Sequence, residues 1–293
     1  MNRLLAFIGA LIFAFLSVAS ACSAAPLEGI RFTLEPQRGS ESIEGSFRSD
    51  RGVHENNWST GFRPSELAGL DLAGFHGAGS RPLRFALVRE AGRLDCSGQG
   101  GESYAAGYCS FTTNPAFAQL LESRGFGRPT DEQAFGMAAV NVRHELIDAI
   151  GAAHIPTPQV SNPLNSLIAL SALNVTGDYI AEMVRAGYRP ASIDSLIQFK
   201  ALNITPEWIA GFVRIGYGNL PGDQLVQLKA LGVTPQFIAG FERIGYRHLP
   251  VYQLVQLKAM NITPEFVQRV EAADDSRPPV DKLVQLKAFS RRN

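Results

Sequence analysis

Cysteine is scarce in this 293-residue chain, and charge of neither sign prevails. The three cysteines, Cys22, Cys96 and Cys109, are too few for a disulfide-dense scaffold or a cysteine-ligated metal site. Cys96 and Cys109 also stand too far apart for a CxxC redox pair. Lys and Arg number 27, and so do Asp and Glu, which removes the usual electrostatic ground for nucleic-acid binding while leaving room for a local basic stripe. The sequence has no Gly-rich phosphate loop, no nucleophile elbow, and no apolar run beyond residue 25 long enough to span a bilayer. His144-Glu145 opens like a zinc-protease motif, but Asp148 stands where the second histidine belongs. Asp274-Asp275 falls at a turn of the repeat described below and reads as a polar cap, not as paired catalytic carboxylates. The expectation is a protein with no catalytic residue, metal or cofactor.

Residues 1–25 have the form of an export signal. Arg3 supplies the positive start, residues 4–18 the apolar stretch, and residues 19–25 a run dominated by alanine and serine. The apolar stretch is shorter than the roughly 20 residues of a spanning helix. Cleavage after Ala21 or Ala24 fits a signal peptidase. Ala19-Ser20-Ala21-Cys22 also resembles a lipobox, with Ala19 where leucine is usual, in which case Cys22 carries lipid and holds the protein on a membrane. Either route places the chain in the periplasm or envelope, where disulfides persist. Cys96 and Cys109 are then expected to pair, closing a loop worth about 3 kcal/mol of unfolded-state constraint.

Residues 26–112 read as a small antiparallel β domain. Ile30-Arg31-Phe32-Thr33-Leu34 and Ile43-Glu44-Gly45-Ser46-Phe47 alternate in character around a Pro-Gly break and predict a hairpin. Further strands are expected around Trp58 to Phe62 and from Leu83 through Arg89. Two more are expected at Arg93 to Cys96 and at Tyr108 to Phe111, joined by a Gly-rich return over residues 97–107 that sets the cysteines opposite each other at the domain's edge. Residues 63–80, with a short helix at Pro64 and glycines at 74, 77 and 79, read as a mobile loop. His54 and His76 are read as solvated loop residues.

Residues 113–293 are a repeat. Thr176, Thr205, Thr234 and Thr263 recur every 29 residues, as do Gly187-Tyr188, Gly216-Tyr217 and Gly245-Tyr246. Such a period denotes stacked supersecondary units. In residues 202–229, Thr205 suits a helix N-cap, Pro206 the first helical position, and Glu207 the positive end of the helix dipole. Trp208, Ile209, Phe212 and Val213 form one apolar face, and Gly216-Tyr217 ends the helix. A second helix after Pro221 carries Leu225, Val226, Leu228, Ala230 and Leu231. About six two-helix units are expected, the first two and the last atypical, with four extra residues within 155–162 enlarging one loop. The Asn-X-Thr triplets at 174, 203 and 261 are products of the repeat, each threonine being an N-cap.

The period also aligns cations. Lys200, Lys229, Lys258 and Lys287, with Arg185, Arg214 and Arg243, should form one or two basic ridges on a stacked array. Such ridges either solvate helix backs or meet an acidic protein surface or anionic envelope polymer.

The run PLRFALVREAG at residues 82–92, the junction FTTNPAF at 111–117 and the following VTP, GY and LVQLK repeats resemble a group of bacterial exported proteins and ectodomains. In that group a small β region leads into short helical repeats, often behind a membrane zinc metallopeptidase of the β-lactam-sensor antirepressor type. The resemblance covers nearly all of the chain after its leader, and the peptidase helices and zinc motif are missing here. It therefore transfers no catalytic residue and implies a sensing or interaction module on the outer side of a bacterial membrane. The expected function is non-enzymatic protein binding by the array. The alternatives are recognition of an envelope glycan or small ligand by the β domain, and a hydrolase using Glu66, His76 and Asp95.

Overall fold

Alternation with period two becomes a sheet and the 29-residue period becomes stacked helix pairs, giving an α+β protein with a helical array. The computed structural model describes residues 26–49, 56–156, 162–274 and 277–290. Residues 1–25 with Cys22, and His54, Asp275 and positions 157–161, lie outside the described residues.

Strands β1 (Leu27–Pro36) and β2 (Ile43–Ser49) form the expected hairpin, with Phe32 opposite Phe47, and β3 (Asn56–Phe62) pairs outside β2. A 3-10 turn at Pro64–Glu66 leads into β4 (Leu67–Ala68) and the short helix α1 (Leu72–His76). Strands β5 (Arg81–Arg89), β6 (Gly92–Gly101) and β7 (Tyr104–Thr113) then run as successive hairpins. Because β7 returns against β1, the seven strands take the order β3-β2-β1-β7-β6-β5-β4, each pair antiparallel.

The sheet curls. Phe32 and Phe85 lie three strand steps apart, about 14 Å along a flat sheet, yet their rings meet edge to face at 5.0 Å. This curl explains why the Gly-rich segment is not the long return expected of it. The turn is only Glu102 and Ser103, both left-handed with φ of 54° and 64°, and the glycines stand inside the strands. Gly98 and Gly107 face each other on the inner surface; a Cβ on Gly98 would lie 2.1 Å from the Ala106 carbonyl oxygen, and one on Gly107 2.9 Å from the Phe32 ring.

Cys96 and Cys109 are direct partners on that inner surface, with Cα atoms 4.0 Å apart and sulfurs bonded. The disulfide therefore sits at the sheet's centre and not at its edge, since β7 goes on to pair with β1. It is mildly consistent with an oxidising compartment. Residues 63–80 also depart from the loop expected: α1 buries Phe75 completely, and the Ser103 N–H donates to the Phe75 carbonyl at 2.9 Å.

Twelve helices follow among the described residues. They are α2 (Pro115–Ser123), α3 (Asp131–Ala139), α4 (His144–Ala152), α5 (Pro163–Ala172), α6 (Gly177–Arg185) and α7 (Ile193–Ala201). Then come α8 (Pro206–Arg214), α9 (Gly222–Ala230), α10 (Pro235–Arg243), α11 (Val251–Ala259), α12 (Pro264–Asp274) and α13 (Val280–Ser290). Consecutive helices make units, and like packs on like: α4 on α6 and α6 on α8 in one layer, and α3, α5, α7, α9, α11 and α13 in series in the other. No single described helix is long and apolar enough to cross a membrane.

The caps follow the repeat. Thr176, Thr205, Thr234 and Thr263 accept from the backbone N–H three residues on, at 3.1 to 3.3 Å. Gly187, Gly216 and Gly245 take left-handed φ, and the following tyrosine N–H reaches back to the last turn, as in Tyr217 to the Phe212 carbonyl at 2.9 Å. The second helix of each unit ends on Asn174, Asn203, Gly232 or Asn261, again left-handed. The buried stripes are narrower than the apolar faces of the sequence: Ile209, Phe212, Leu225 and Leu228 are buried, while Val213 and Leu231 remain more than a third exposed.

Two contacts join successive units. The Tyr217 hydroxyl donates to the Leu249 carbonyl at 2.8 Å, and that of Tyr246 to the Pro278 carbonyl at 2.6 Å, each 32 residues ahead. Burial, aided by the charge of Glu242, pushes the Tyr217 phenol up to about 12, so it remains a donor. The second contact sets a glycine against a proline. A Cβ on Gly211 would lie 2.9 Å from Pro235 Cγ, and one on Gly240 3.1 Å from Pro264 Cγ, so a side chain there would push the units apart.

Sheet and array share one apolar core that runs from Leu27 to Leu225. Phe135 of α3 meets Phe111 at 5.6 Å and Trp58 at 6.2 Å. The β5–β6 turn, Arg89-Glu90-Ala91, holds three helix ends. Arg89 Nη1 donates to the Ala138 and Ala139 carbonyls at the end of α3, at 2.6 and 2.9 Å. Glu90 Oε2 accepts the His144 N–H at the start of α4, at 2.7 Å. The α2 cap, Asn114, donates from Nδ2 to the Glu90 carbonyl and from its backbone N–H to that of Ala91, at 2.9 and 3.0 Å.

Candidate functional site

The repeat places its cations in two separate rows. Lys200, Lys229, Lys258 and Lys287 lie in the last turns of α7, α9, α11 and α13, where a cation suits the negative helix end. Each ammonium rests over the aromatic ring at the third position of the preceding helix. The distances are 4.6 Å to Tyr179, 5.3 Å to Trp208, 5.0 Å to Phe237 and 4.7 Å to Phe266. Cation–π contacts of this kind contribute about 0.5–1 kcal/mol at exposed sites. All four lysines are half-buried along their stems, and among the described residues none forms an ion pair with a carboxylate.

Arg185, Arg214 and Arg243 end α6, α8 and α10 and are exposed. Each is six residues from the ring on its own helix, about 9 Å along the axis at 1.5 Å per residue, so the arginines form a row of their own. They are partly engaged: Arg185 lies 3.6 Å from Glu182, and Arg243 Nε donates to the Ala239 carbonyl at 3.3 Å. The residue before each ring is acidic in three units, Asp178, Glu207 and Glu265, and is Gln236 in the fourth; the charges that act on Glu265 are those of Arg269 and Arg243, so this position faces arginines. Composition carries a signal for the lysine row that charge balance hides. The chain has only five lysines among its 27 basic residues, and four of them occupy this one repeat position.

At the junction of sheet and array, Glu90, His144 and Glu145 bring ligand-type atoms within 4.8 Å of one another. Their atoms are already engaged. His144 Nδ1 meets Glu90 Oε1 at 2.9 Å, and Arg143 donates to both oxygens of Glu145 at 2.6 and 3.0 Å while lying 3.9 Å from Glu90. The Arg143 hydrogen bonds hold the Glu145 carboxyl down at about 2, and the Glu90 hydrogen bond raises the His144 imidazole above its ordinary value. A cation would have to displace a guanidinium, so the cluster acts as a clasp between sheet and array. Asp148 is also taken, by Arg124 at 2.6 Å.

The residues Glu66, His76 and Asp95 are engaged with different partners. Glu66 accepts from Arg63 at 2.9 Å, His76 Nδ1 meets the Ser103 hydroxyl at 2.9 Å, and Asp95 accepts from Arg93 at 2.8 Å. Comparison of the chain with protein-family models, with curated proteins and with solved structures returned no match.

Proposed function

We propose that this is a non-enzymatic interaction module of the bacterial cell envelope, exported by its leader, whose helical array captures an acidic partner protein. The observation that carries this reading is the lysine row, in which four ammonium groups at one repeat position rest over rings and, among the described residues, have no carboxylate of their own. A solvating surface needs no such regularity, and the 22 arginines elsewhere show that the chain does not otherwise favour lysine. The ring beneath each ammonium limits where it can move, so an acidic group on the partner meets a charge already positioned. The β domain serves as a base for the array through their shared core. The resemblance to exported bacterial repeat proteins and the Cys96–Cys109 pair support the envelope setting.

The test is capture of crosslinked envelope proteins by the full chain and by the double variant Lys229→Glu, Lys258→Glu. Each reversal places a carboxylate over the Trp208 or Phe237 ring and should weaken capture at least tenfold, by analogy with about 1.4 kcal/mol or more for charge pairs at interfaces. Capture by the wild type should also fall steeply with salt. Undiminished capture by the double variant would overturn the proposal.

A further inference from the structure

The geometry points to a binding site for a small carboxylic acid with an apolar body in the cleft where the β5–β6 turn meets the array. The cleft holds about 590 Å³ and is lined by Arg63, Arg89 and Arg143, by Glu66 and Glu90, and on its apolar side by Leu87, Val88 and Ala68.

Arg89 is the centre of the argument. Its guanidinium lies 5.9 and 5.5 Å from the ring centroids of Trp58 and Phe62, and burial pushes its pKa below the ordinary value despite the nearby charge of Glu66. A buried cation is costly unless paired, yet among the described residues no carboxylate forms an ion pair with it. A guanidinium has five N–H donors, and the hydrogen bonds of Arg89 to Ala138 and Ala139 use Nη1 alone. Nε and both N–H groups of Nη2 are left for a planar acceptor, which is the geometry of bidentate carboxylate recognition.

The two carboxylates of the lining are committed. Glu66 accepts from the Arg63 backbone and side chain, and Glu90 from the His144 backbone and ring. Arg63 is paired with Glu66, Arg143 with Glu145, and Glu90 with His144, so Arg89 is the one guanidinium of the lining without a carboxylate of its own among the described residues. A single negative charge on the ligand matches it. Val88, itself 59% exposed, and Ala68 offer the rest of the ligand an apolar wall. This site is separate from the lysine row and does not depend on it.

Arg89 variants would also lose the α3 cap, so the test reads Arg89 in the wild-type chain and alters the exposed wall. N-acetylleucine, with N-acetylleucinamide as its neutral counterpart, is titrated into the full ¹⁵N-labelled chain while the Arg89 Nε–Hε resonance is followed. The acid should shift that resonance saturably and the amide should bind at least about tenfold more weakly, as expected for loss of a charge-assisted hydrogen bond. Val88→Glu, which puts a carboxylate in the cleft from a surface position, should abolish the shift, and Arg63→Gln should weaken it. An unmoved Arg89 resonance, equal binding of the amide, or undiminished binding to Val88→Glu would overturn the assignment. Equally tight binding of inorganic phosphate would overturn the apolar part of it.

Discussion

Asn203 is held at φ 53° where helix α7 ends, and Asn174 and Asn261 are held likewise in their own units. Asparagine tolerates this region because its short side chain bonds locally, whereas a Cβ without such help costs about 1–2 kcal/mol there. Asn203→Ala should therefore lower unfolding stability by about 1 kcal/mol in urea, and Asn203→Gly should leave it within a few tenths. The Asn-X-Thr triplets thus have a full structural account, the asparagine as the end of one helix and the threonine as the start of the next. The threonine role is readable from its type and period alone. The asparagine role was readable too, because Gly232 stands at the same repeat position as Asn203 and Asn261, and the residue types that share a site report its backbone. The pairing of Lys200 with Tyr179 was not, since nothing in a sequence tells whether two residues that recur together also touch.

Among the elements, the β5–β6 hairpin carries the most connections. The Glu90 hydrogen bond raises the His144 pKa in the folded chain, with the Glu90 charge and then Glu145 and Asp148 adding to it against slight desolvation. A raised pKa stabilises the fold at pH values below the unfolded imidazole's, and that contribution is lost as pH climbs through the folded value. The His144 resonance should consequently titrate above the usual value near 6.5, and Glu90→Gln should bring it down. The stability gap between wild type and Glu90→Gln should narrow as the pH rises through the folded His144 pKa, leaving the part due to the His144 backbone N–H. A gap independent of pH would show that the imidazole plays no part in the clasp. The strands of this region were legible from alternation, and the opposition of the cysteines from their place on either side of a turn. The curl was not. Gly98 and Gly107 look like loop residues until the close approach of the β6 and β7 backbones, and of the Phe32 ring to Gly107, is known. The arginine and glutamate of the turn carry no pattern at all, because their partners lie 49 to 54 residues away.

At the scale of the whole molecule, one apolar core joins the sheet to the array as far as Leu225, and a second holds the units from Phe212 to Leu283. Opening of the first should therefore spread from sheet to neighbouring helices. Cys96→Ala with Cys109→Ala removes a loop constraint of about 3 kcal/mol. In native-state hydrogen exchange the loss of protection should appear in β6 and β7 and extend into α3 and α5, with α11 and α13 changed least. Loss confined to the sheet, or uniform across all helices, would contradict the shared core. The number of helices and their stacking were legible because one period writes both. The seating of α3 on the sheet was not, since Phe135 belongs to a unit too degenerate for its register to be compared.

The glycine-against-proline contact has a consequence for how such a chain changes length. Gly211 meets Pro235 and Gly240 meets Pro264 in the same way, so a duplicated unit placed between them would find a matching surface on both sides. A fragment of a unit would find neither. Recombination that preserves this contact adds or removes whole units, here of 29 residues, and each added unit brings one more lysine into the row. The number of lysines thus becomes a heritable count that can change without any new interface having to evolve.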